Sequence, residues 1–336
     1  MKGKIGMKKI AMLLLLIATI SAQQLKVPSA YSTIQAAIDV ASNGDTVLVA
    51  DGLYKENLKI DSKKIMLIGE SRDKTIIDGQ NKESVIDYFG YIDGDWKPEI
   101  PVKIKNFTIQ NGKGPGGGNF GGGIQLSLST NYFLDNLIIQ QNTAGGVGPE
   151  GGGGGVSFTP GEGSDSLSVN RTIFRHNSPG PSEYGALFAG NNDHIFVNNC
   201  LFYHNEIAFG GGNFSKTMFR IFSSTIAKNK QVAGGAIEHL EFTNSIVYHN
   251  EEPDILDQLS ISARFKKYKS NIEKIKDGDY DMGDPMFVNP HVAKDENNTE
   301  PDFRLLDSSP GIGSGYKEWS DLGTKGFTDI DGNPRF

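Results

Sequence analysis

The chain has 336 residues, 42 of them glycine, and its 40 acidic and 33 basic side chains give a net charge of −7. This length exceeds what one ordinary core serves but allows a single elongated domain. The glycines follow no G-X-Y period, which excludes collagen, and an acidic balance is a poor match for nucleic acid. The only cysteine, Cys200, excludes an intramolecular disulfide, and we expect it to be buried because it lies in an apolar hexamer.

Residues 1–22 predict a secretory signal peptide. Four lysines precede the apolar run IAMLLLLIATI, and Ser21 and Ala22 are small residues suited to cleavage after Ala22. The run is too short to be a good membrane span, although an uncleaved anchor is the alternative. Cleavage would leave a net charge of −11, since the segment holds four lysines and no acid. We therefore expect a secreted protein, extracellular, at the cell surface or periplasmic, with no membrane span after processing.

The next segment predicts a helix that closes one end of a stack of strands. STIQ at 32–35 fits a capping box. One apolar face then follows at helical spacing, formed by Ile34, Ala37, Ile38 and Ala41. TVLVADGLYKENLKI and KIMLIGES come next as the predicted first coils.

A hexamer then recurs six times, as FTIQNG (107–112), LIIQQN (137–142), TIFRHN (172–177), CLFYHN (200–205), STIAKN (224–229) and SIVYHN (245–250). Successive last positions are 30, 35, 28, 24 and 21 residues apart. Repeats of this length indicate a solenoid. The apolar runs are short, β-branched and bounded by glycine, which excludes a helical repeat.

The last position of each hexamer is Gly112 in the first copy and then Asn142, Asn177, Asn205, Asn229 and Asn250. Asn and Gly enter the left-handed region most readily, so we predict a positive φ and a sharp bend at this position. In stacked coils the amides would also hydrogen-bond to one another as a ladder. Glycine pairs after each bend, such as those at 122–123 and 154–155, would let backbones approach closely. The coil 230–250 divides into three predicted strands, GAIEH, LEFTN and SIVYH.

These patterns predict an all-β fold, a single-stranded right-handed parallel β-helix with an N-terminal capping helix. The predicted organisation is a signal peptide at 1–22, the capped β-helix at 23–250 and C-terminal coils with a capping region at 251–336.

Three stretches resemble known families. YSTIQAAIDVASNGDTVLVADGLYKENLKI is similar to the N-terminal region of pectin methylesterases, but the later motifs that carry that family's catalytic residues are not found here, so the resemblance implies the fold. The F-x-x-N and GGAI elements of the middle coils resemble polymorphic outer-membrane-protein repeats. YKSNIEKIKDGDYDMGDPMFVNP, DFRLLDSSPGIGSGY and DIDGNPRF resemble the end of the choice-of-anchor Q family. The last two resemblances imply an exported β-helix protein. Many choice-of-anchor Q proteins carry an anchoring module after this region, and from the sequence up to Phe336 we expect none here.

Candidate catalytic residues lie near a predicted step in the stack. The segments that follow each bend are long and Gly-rich in early coils and short in later ones, so they should overhang one edge. Lyase chemistry on a uronate needs a positive charge and a base, and hydrolysis needs carboxylates. We predict Lys216, Arg220 and Glu238 as catalytic residues and Tyr184 and Phe188 as rings that stack on sugars. The alternative is that the polar groups are solvated coil surface and the rings are core.

A second candidate binding feature is the position before each terminal Asn. It holds Asn111, Gln141, His176, His204, Lys228 and His249, which would stack about 5 Å apart. We predict that His176 and His204 contact sugar hydroxyls, the alternative being a polar edge facing water. Adjacent coils supply only two of the three histidines, which argues against a His-bound metal.

Residues 277–284 (DGDYDMGD) resemble a calcium loop, but Val288 stands where the final Glu of an EF-hand belongs. The segment predicts a loose Ca²⁺ site or a charged turn before Pro285, and no cofactor is established. Together, the sequence predicts an exported monomer that binds or processes an extracellular polysaccharide through its long face. The alternatives are a polysaccharide lyase or glycoside hydrolase acting on an acidic glycan, and a non-catalytic surface adhesin or structural protein.

Overall fold

The computed structural model describes residues 22–89, 102–115, 121–127, 131–145, 152–159, 166–180, 184–190, 194–212, 217–235, 237–252, 264–268, 270–273, 283–290 and 301–310. Residues 1–21 of the predicted signal peptide, Lys216, and residues 277–282 of the predicted calcium segment lie outside these ranges.

Three parallel sheets form the molecule, and the chain visits them in turn. Sheet A has ten strands: β1 (Gln24–Val27), β2 (Thr46–Val49), β5 (Met66–Gly69), β8 (Val102–Lys105), β11 (Tyr132–Asp135), β14 (Ser166–Asn170), β17 (His194–Asn198), β20 (Met218–Phe222), β23 (His239–Thr243) and β25 (Arg264–Tyr268). Sheet B has nine: β3 (Gly52–Tyr54), β6 (Thr75–Asp78), β9 (Thr108–Gln110), β12 (Ile138–Gln140), β15 (Ile173–Arg175), β18 (Leu201–Tyr203), β21 (Thr225–Ala227), β24 (Ile246–Tyr248) and β26 (Asn271–Ile272). Sheet C has seven: β4 (Leu58–Asp61), β7 (Ile86–Phe89), β10 (Ile124–Leu126), β13 (Val156–Phe158), β16 (Leu187–Ala189), β19 (Ile207–Gly211) and β22 (Gln231–Gly235).

From β2 to β22 each coil contributes one strand to each sheet, which confirms the predicted right-handed parallel β-helix. The coil 230–250 contains three strands, as expected. β23 and β24 overlap the predicted LEFTN and SIVYH, but the first strand, β22, covers Gln231–Gly235 and ends where the predicted GAIEH begins. Inward side chains of equivalent positions stack from coil to coil. Phe174 and Phe202, for example, lie with ring centroids 4.4 Å apart and planes 4° from parallel.

Helix α1 (Ile34–Val40) packs against β1, β2 and β4, in agreement with the predicted cap. Its N-cap is Thr33, whose hydroxyl accepts from Ala36 N at 3.1 Å. Glu56 accepts the backbone N–H groups of Ile34 and Gln35, each at 3.0 Å. The predicted capping box at 32–35 is wrong, because the N-cap is Thr33 and the Gln35 amide donates to Asp39 and to Lys59 O. The carboxylate of Glu56, from the next coil, accepts the helix N–H groups instead. This is the one helix among the described elements, and it is too short to cross a membrane.

The Asn ladder is present. The side-chain amides of Asn142, Asn177, Asn205 and Asn229 each donate to the carboxamide oxygen of the next member, ending on Asn250, at 2.9–3.1 Å. Gly112 begins the column by donating its backbone N–H to Asn142 Oδ1 at 2.8 Å. Every Asn of the column is at most 7% exposed.

The predicted position of the bend is wrong by one residue. Positive φ occurs at the residue before each ladder Asn, including His176 (53°) and His204 (52°), and not at the Asn. A second positive φ lies five residues earlier, as at Asn199 (53°). The chain turns at the preceding residue because the ladder Asn must direct its amide inward, where it bonds to neighbouring coils.

Glycines at the strand restarts allow close approach, as predicted. A Cβ on Gly122 would lie 2.4 Å from Thr143 O, and one on Gly154 would lie 2.3 Å from Ser178 O. Both distances are shorter than non-bonded contact permits, so only glycine fits these positions.

An antiparallel hairpin of β27 (Phe287–Asn289) and β28 (Asp302–Leu305) packs on the outside of sheet B. Phe303 lies 5.4 Å from the Tyr203 ring, and Phe287 lies 6.3 Å from the His249 ring, measured between centroids. The side chain of Tyr203 points out of sheet B, but it is only 2% exposed because the hairpin covers it.

Candidate functional site

The outer face of sheet A carries a continuous row of aromatic and charged side chains, which we call the outer row. Its members occupy the position nine residues before the end of each hexamer and lie in register on neighbouring strands: Lys103, Phe133, Ser168, Phe196, Arg220 and Glu241. They face outward because alternate residues of the same strands, such as Ile221 and Phe242, fill the core.

Two cations of the outer row lie over aromatic rings. Lys103 Nζ is 5.8 Å from the centroid of Phe133, and Arg220 Cζ is 5.7 Å from that of Phe196. Phe133 is 37% exposed, which leaves part of its ring open to solvent. Partly exposed rings beside cations present the apolar face and the charge that recognition of a charged sugar needs.

A charged cluster lies beside the early part of the row. Nη2 of Arg171 donates to both carboxylate oxygens of Asp135 at 2.6 Å. Lys105 Nζ lies 3.2 Å from Oδ2 of the same carboxylate. Two cations thus share one carboxylate, which leaves the cluster with net positive charge. The register position of Lys105 and Asp135, two residues after that of the outer row, is occupied by the amides of Asn170 and Asn198 on the next two strands.

A second cluster lies at the other end of the outer row, between β20 and β23. Glu241 Oε2 is 3.3 Å from His239 Nε2 and 3.9 Å from Arg220 Nε. The side chains of His239 and Glu241 are 10% and 13% exposed, whereas Arg220 is 37% exposed. The cluster therefore has a mostly buried acid–imidazole pair with an arginine at its solvent edge.

Of the three predicted catalytic residues, the structure describes Arg220 and Glu238, and these two form no ion pair with each other. Arg220 belongs to the cluster just described, and Lys216 lies outside the described residues. Glu238 directly precedes β23 and is half-buried, and it makes no contact with Arg220 among the described ion pairs. The carboxylate that accompanies Arg220 is Glu241, its register partner, rather than Glu238.

Tyr184 and Phe188, predicted to stack on sugars, are 3% and 1% exposed, so their rings pack against protein. They contact each other at a centroid distance of 4.7 Å on the sheet C side. The space that they occupy exists because nearby positions lack side chains: a Cβ on Gly235 would lie 2.7 Å from Tyr184 Cε1, and one on Gly153 would lie 2.9 Å from Phe188 Cβ.

His176 and His204 lie at the bend after sheet B, with ring centroids 5.1 Å apart. This spacing matches the expected column, and His176 is exposed. A hydrogen-bonded chain runs beside it, in which Gln110 donates to Asp78, Gln140 to Gln110, and Arg175 to Gln140 at 2.7–2.9 Å. Arg175 also donates to the Tyr203 hydroxyl at 2.8 Å. The groups of this chain satisfy one another, and the hairpin covers its far end.

Sequence reasoning missed Glu241, His239 and the outer row as a whole. The signal was available, because counting nine positions back from each hexamer end reads K, F, S, F, R, E. The glycine-rich segments led us to predict the site on the sheet C side instead. The glycines there make room for the buried rings of Tyr184 and Phe188.

Within the described residues, no group of three or more His, Cys, Asp or Glu side chains could hold a metal ion. Of the predicted calcium segment, Gly283 and Asp284 are described, and Asp284 Oδ1 accepts from Met286 N at 2.8 Å.

No family model matches the chain, and no curated protein matches it. Among solved structures, the pectin methyl esterase of rice weevil is similar over 76% of this chain and 90% of its own, with 13% identity and a TM-score of 0.50. The pectin methylesterase of carrot is similar over 75% of this chain and 83% of its own, with 13% identity and a TM-score of 0.45. At this identity the likeness to the rice weevil protein shows the β-helix fold alone.

Proposed function

We propose that the protein is exported and binds an extracellular, acidic polysaccharide along the outer face of sheet A. The observation that carries this proposal is the outer row, in which rings and cations repeat on successive strands. Neighbouring strands lie about 4.8 Å apart, so the row forms a linear track parallel to the solenoid axis. A linear polymer is the ligand that can use such a track along its whole length.

The local charge favours an acidic polymer. Between β8 and β23, the described residues on the outer face of sheet A and Arg171, at the bend after β14, include four cations and two carboxylates. The cations are Lys103, Lys105, Arg171 and Arg220, and the carboxylates are Asp135 and Glu241. The whole chain has a net charge of −7. An acidic polymer would be repelled by most of the molecule and attracted by this face, so the charge pattern also orients the ligand.

The fold supports this use. The rice weevil protein of the same fold is, by its name, a pectin methyl esterase. The proposal also includes a secreted location, a monomeric state and no nucleic-acid partner, which follow from the predicted signal peptide and the acidic composition.

A glycan array probed with the purified chain tests the proposal, followed by calorimetric titration of the hits. We expect acidic polysaccharides among the hits. Phe133→Ala should weaken their binding about three- to tenfold, the loss of one aromatic contact. Lys103→Ala should weaken it about two- to fivefold and reduce its salt dependence.

Matched controls lie on other surfaces. Leu53→Ala removes an exposed apolar side chain that is 56% exposed, and Lys82→Ala removes an exposed charge away from sheet A. Both should bind as the unmodified protein does. Binding of cells or proteins with no glycan hit would favour an adhesin and overturn the proposal.

A further inference from the structure

The cluster of Arg220, His239 and Glu241 holds the parts of an acid–base site. Glu241 lies against Nε2 of His239, and Nδ1 of this imidazole makes no hydrogen bond with the part of the chain that the structure describes. A carboxylate that occupies one ring nitrogen fixes the ring and leaves the other nitrogen for proton transfer.

Arg220 supplies the charge that such a site needs. Its Nε is 3.9 Å from Glu241, beyond hydrogen-bond distance, and no described residue accepts a hydrogen bond from its terminal nitrogens. Because the side chain is 37% exposed, these donors can reach a ligand carboxylate from solvent. The guanidinium also lies over the ring of Phe196, with Cζ 5.7 Å from the ring centroid.

A further polar group in the same strand lacks a partner. Thr243 is 1% exposed, lies on the outward side of the strand two residues after Glu241, and its Oγ1 makes no hydrogen bond with the described residues. Buried hydroxyls are normally paired. This hydroxyl lies four residues beyond His239, about 13 Å along the strand, and adds a second unpaired polar group to the same face.

We propose that Arg220, His239 and Glu241 catalyse β-elimination on a uronate-containing polysaccharide bound to the outer row, an inference that rests on the proposed function. Arg220 pairs with the uronate carboxylate and stabilises the negative charge that develops when the neighbouring C5 loses its proton. Nδ1 of His239 takes that proton, and Glu241 stabilises the resulting imidazolium. The C4–O4 bond breaks, a C4=C5 double bond forms, and O4 leaves with the proton returned by the imidazolium or supplied by water. No oxidant, reductant or further reactant is consumed.

Hydrolysis of the glycosidic bond fits this face less well. Glycosidases generally use two carboxylates within about 10 Å of each other. The other described outward carboxylate of sheet A, Asp135, is four strands from Glu241, roughly 19 Å at the usual strand spacing. It is also engaged by Arg171 and Lys105.

The test is an ultraviolet assay for the unsaturated product on a panel of polyuronates, run with a calorimetric binding measurement on the same samples. We expect product from at least one polymer that binds. His239→Gln should lower kcat by about 100-fold or more, as loss of a general base does. Arg220→Met should lower kcat and raise KM together. Glu241 acts through His239, so Glu241→Gln should lower kcat with little change in KM, and Glu241→Asp should recover part of the loss.

Glu206→Gln is the control for the loss of a carboxylate, since Glu206 is exposed on the sheet C side, and it should keep full activity. Thermal melts confirm that each variant is folded, and a folded His239→Gln variant that retains full kcat overturns the assignment. Polyuronate binding with no unsaturated product, or with release of an esterified group instead, overturns the elimination chemistry and leaves the binding proposal standing. Failure to bind any acidic polymer overturns both.

Discussion

Each asparagine inside the Asn ladder uses the full bonding capacity of its amide. Asn205 donates through Nδ2 to Phe174 O and Asn229 Oδ1, both at 2.9 Å. Its Oδ1 accepts from Asn177 N and Nδ2, both at 3.0 Å. Because the side chain is 2% exposed, water does not replace these partners when the amide is removed. The ladder is thus a structural device, and its geometry explains why Asn recurs without any catalytic role.

Asn205→Ala and Asn205→Gly should therefore destabilise the protein equally. Each leaves Asn177 N and Phe174 O buried without a partner, at a cost of about 3 kcal/mol in the free energy of unfolding. Glycine would be the milder change only if the bend were at residue 205. Chemical denaturation with linear extrapolation measures both costs. A much smaller loss of unfolding free energy for Asn205→Gly than for Asn205→Ala would indicate that the bend lies at Asn205 itself.

The complementary pair of variants lies one residue earlier. His204 has a φ of 52°, which β-branched residues rarely adopt. His204→Val should destabilise by about 1–2 kcal/mol, whereas His204→Gly should stay within about 1 kcal/mol of the unmodified protein. Equal effects of the two changes on the denaturation midpoint would contradict the assignment of the bend.

At the scale of the coil, a second column reinforces the first. Cys200 N donates to Ser224 Oγ at 3.1 Å, Ser224 N to Ser245 Oγ at 3.2 Å, and Ser245 N to Ser270 Oγ at 3.1 Å. Cys200 begins this series as a buried free thiol, in agreement with the sequence-based expectation. Two side-chain columns thus flank the sheet B strands β18, β21 and β24 and hold these coils in register where no disulfide does.

Tyr88 links neighbouring coils in a different way and gives the stability a pH dependence. Its buried hydroxyl donates to Lys63 O and accepts from Ile65 N at 3.2 Å. Burial raises the pKa of Tyr88 well above its ordinary value. In the unfolded chain the phenol ionises near pH 10, so above that pH the native state binds more protons and the free energy of unfolding falls as the pH rises.

Tyr88→Phe should remove this contribution. The difference in unfolding free energy between the unmodified protein and Tyr88→Phe should be constant below about pH 9 and should shrink above about pH 10. Measuring the difference cancels the other groups that titrate in this range. A difference that stays constant to the alkaline limit would mean that Tyr88 ionises without cost in the native state.

The elements that sequence predicted best are those that repeat. The period of the hexamers predicted the sheets and the Asn ladder, because register in a solenoid is shared by all coils, whereas the apolar face from Ile34 to Ala41 predicted the cap. The bend was misplaced because Asn is the usual left-handed residue, while here His204 takes that conformation and Asn205 takes the buried position. The burial of Tyr184 depends on space left by Gly235 in a later coil, and the hairpin over Tyr203 depends on a segment far along the chain. Neither follows from a local pattern.

At the scale of the whole molecule, the charged residues that would bind the polymer and those that would react with it lie at different places on the same surface. Lys103, Lys105 and Arg171 lie toward the early coils, and the proposed chemistry lies at Arg220 and Glu241 in later coils. A polymer that spans both would gain binding energy at one end and react at the other. Such an arrangement allows the site for chemistry to be small and mostly buried, because affinity comes from elsewhere along the track.

The affinity for acidic oligosaccharides should therefore rise with chain length and then reach a plateau. From Lys103 to Glu241 the outer row crosses five strand spacings, about 24 Å, so the plateau should come when an oligosaccharide is long enough to cover that distance. Calorimetric titration with size-fractionated oligosaccharides at two salt concentrations measures this, and the longer ligands should lose more affinity at high salt because they engage more cations. Lys103→Ala should lower the plateau but leave the affinity of the shortest oligosaccharides unchanged if these bind at the Arg220 end. A disaccharide that binds as tightly as the polymer would place the ligand in one local site and contradict the track.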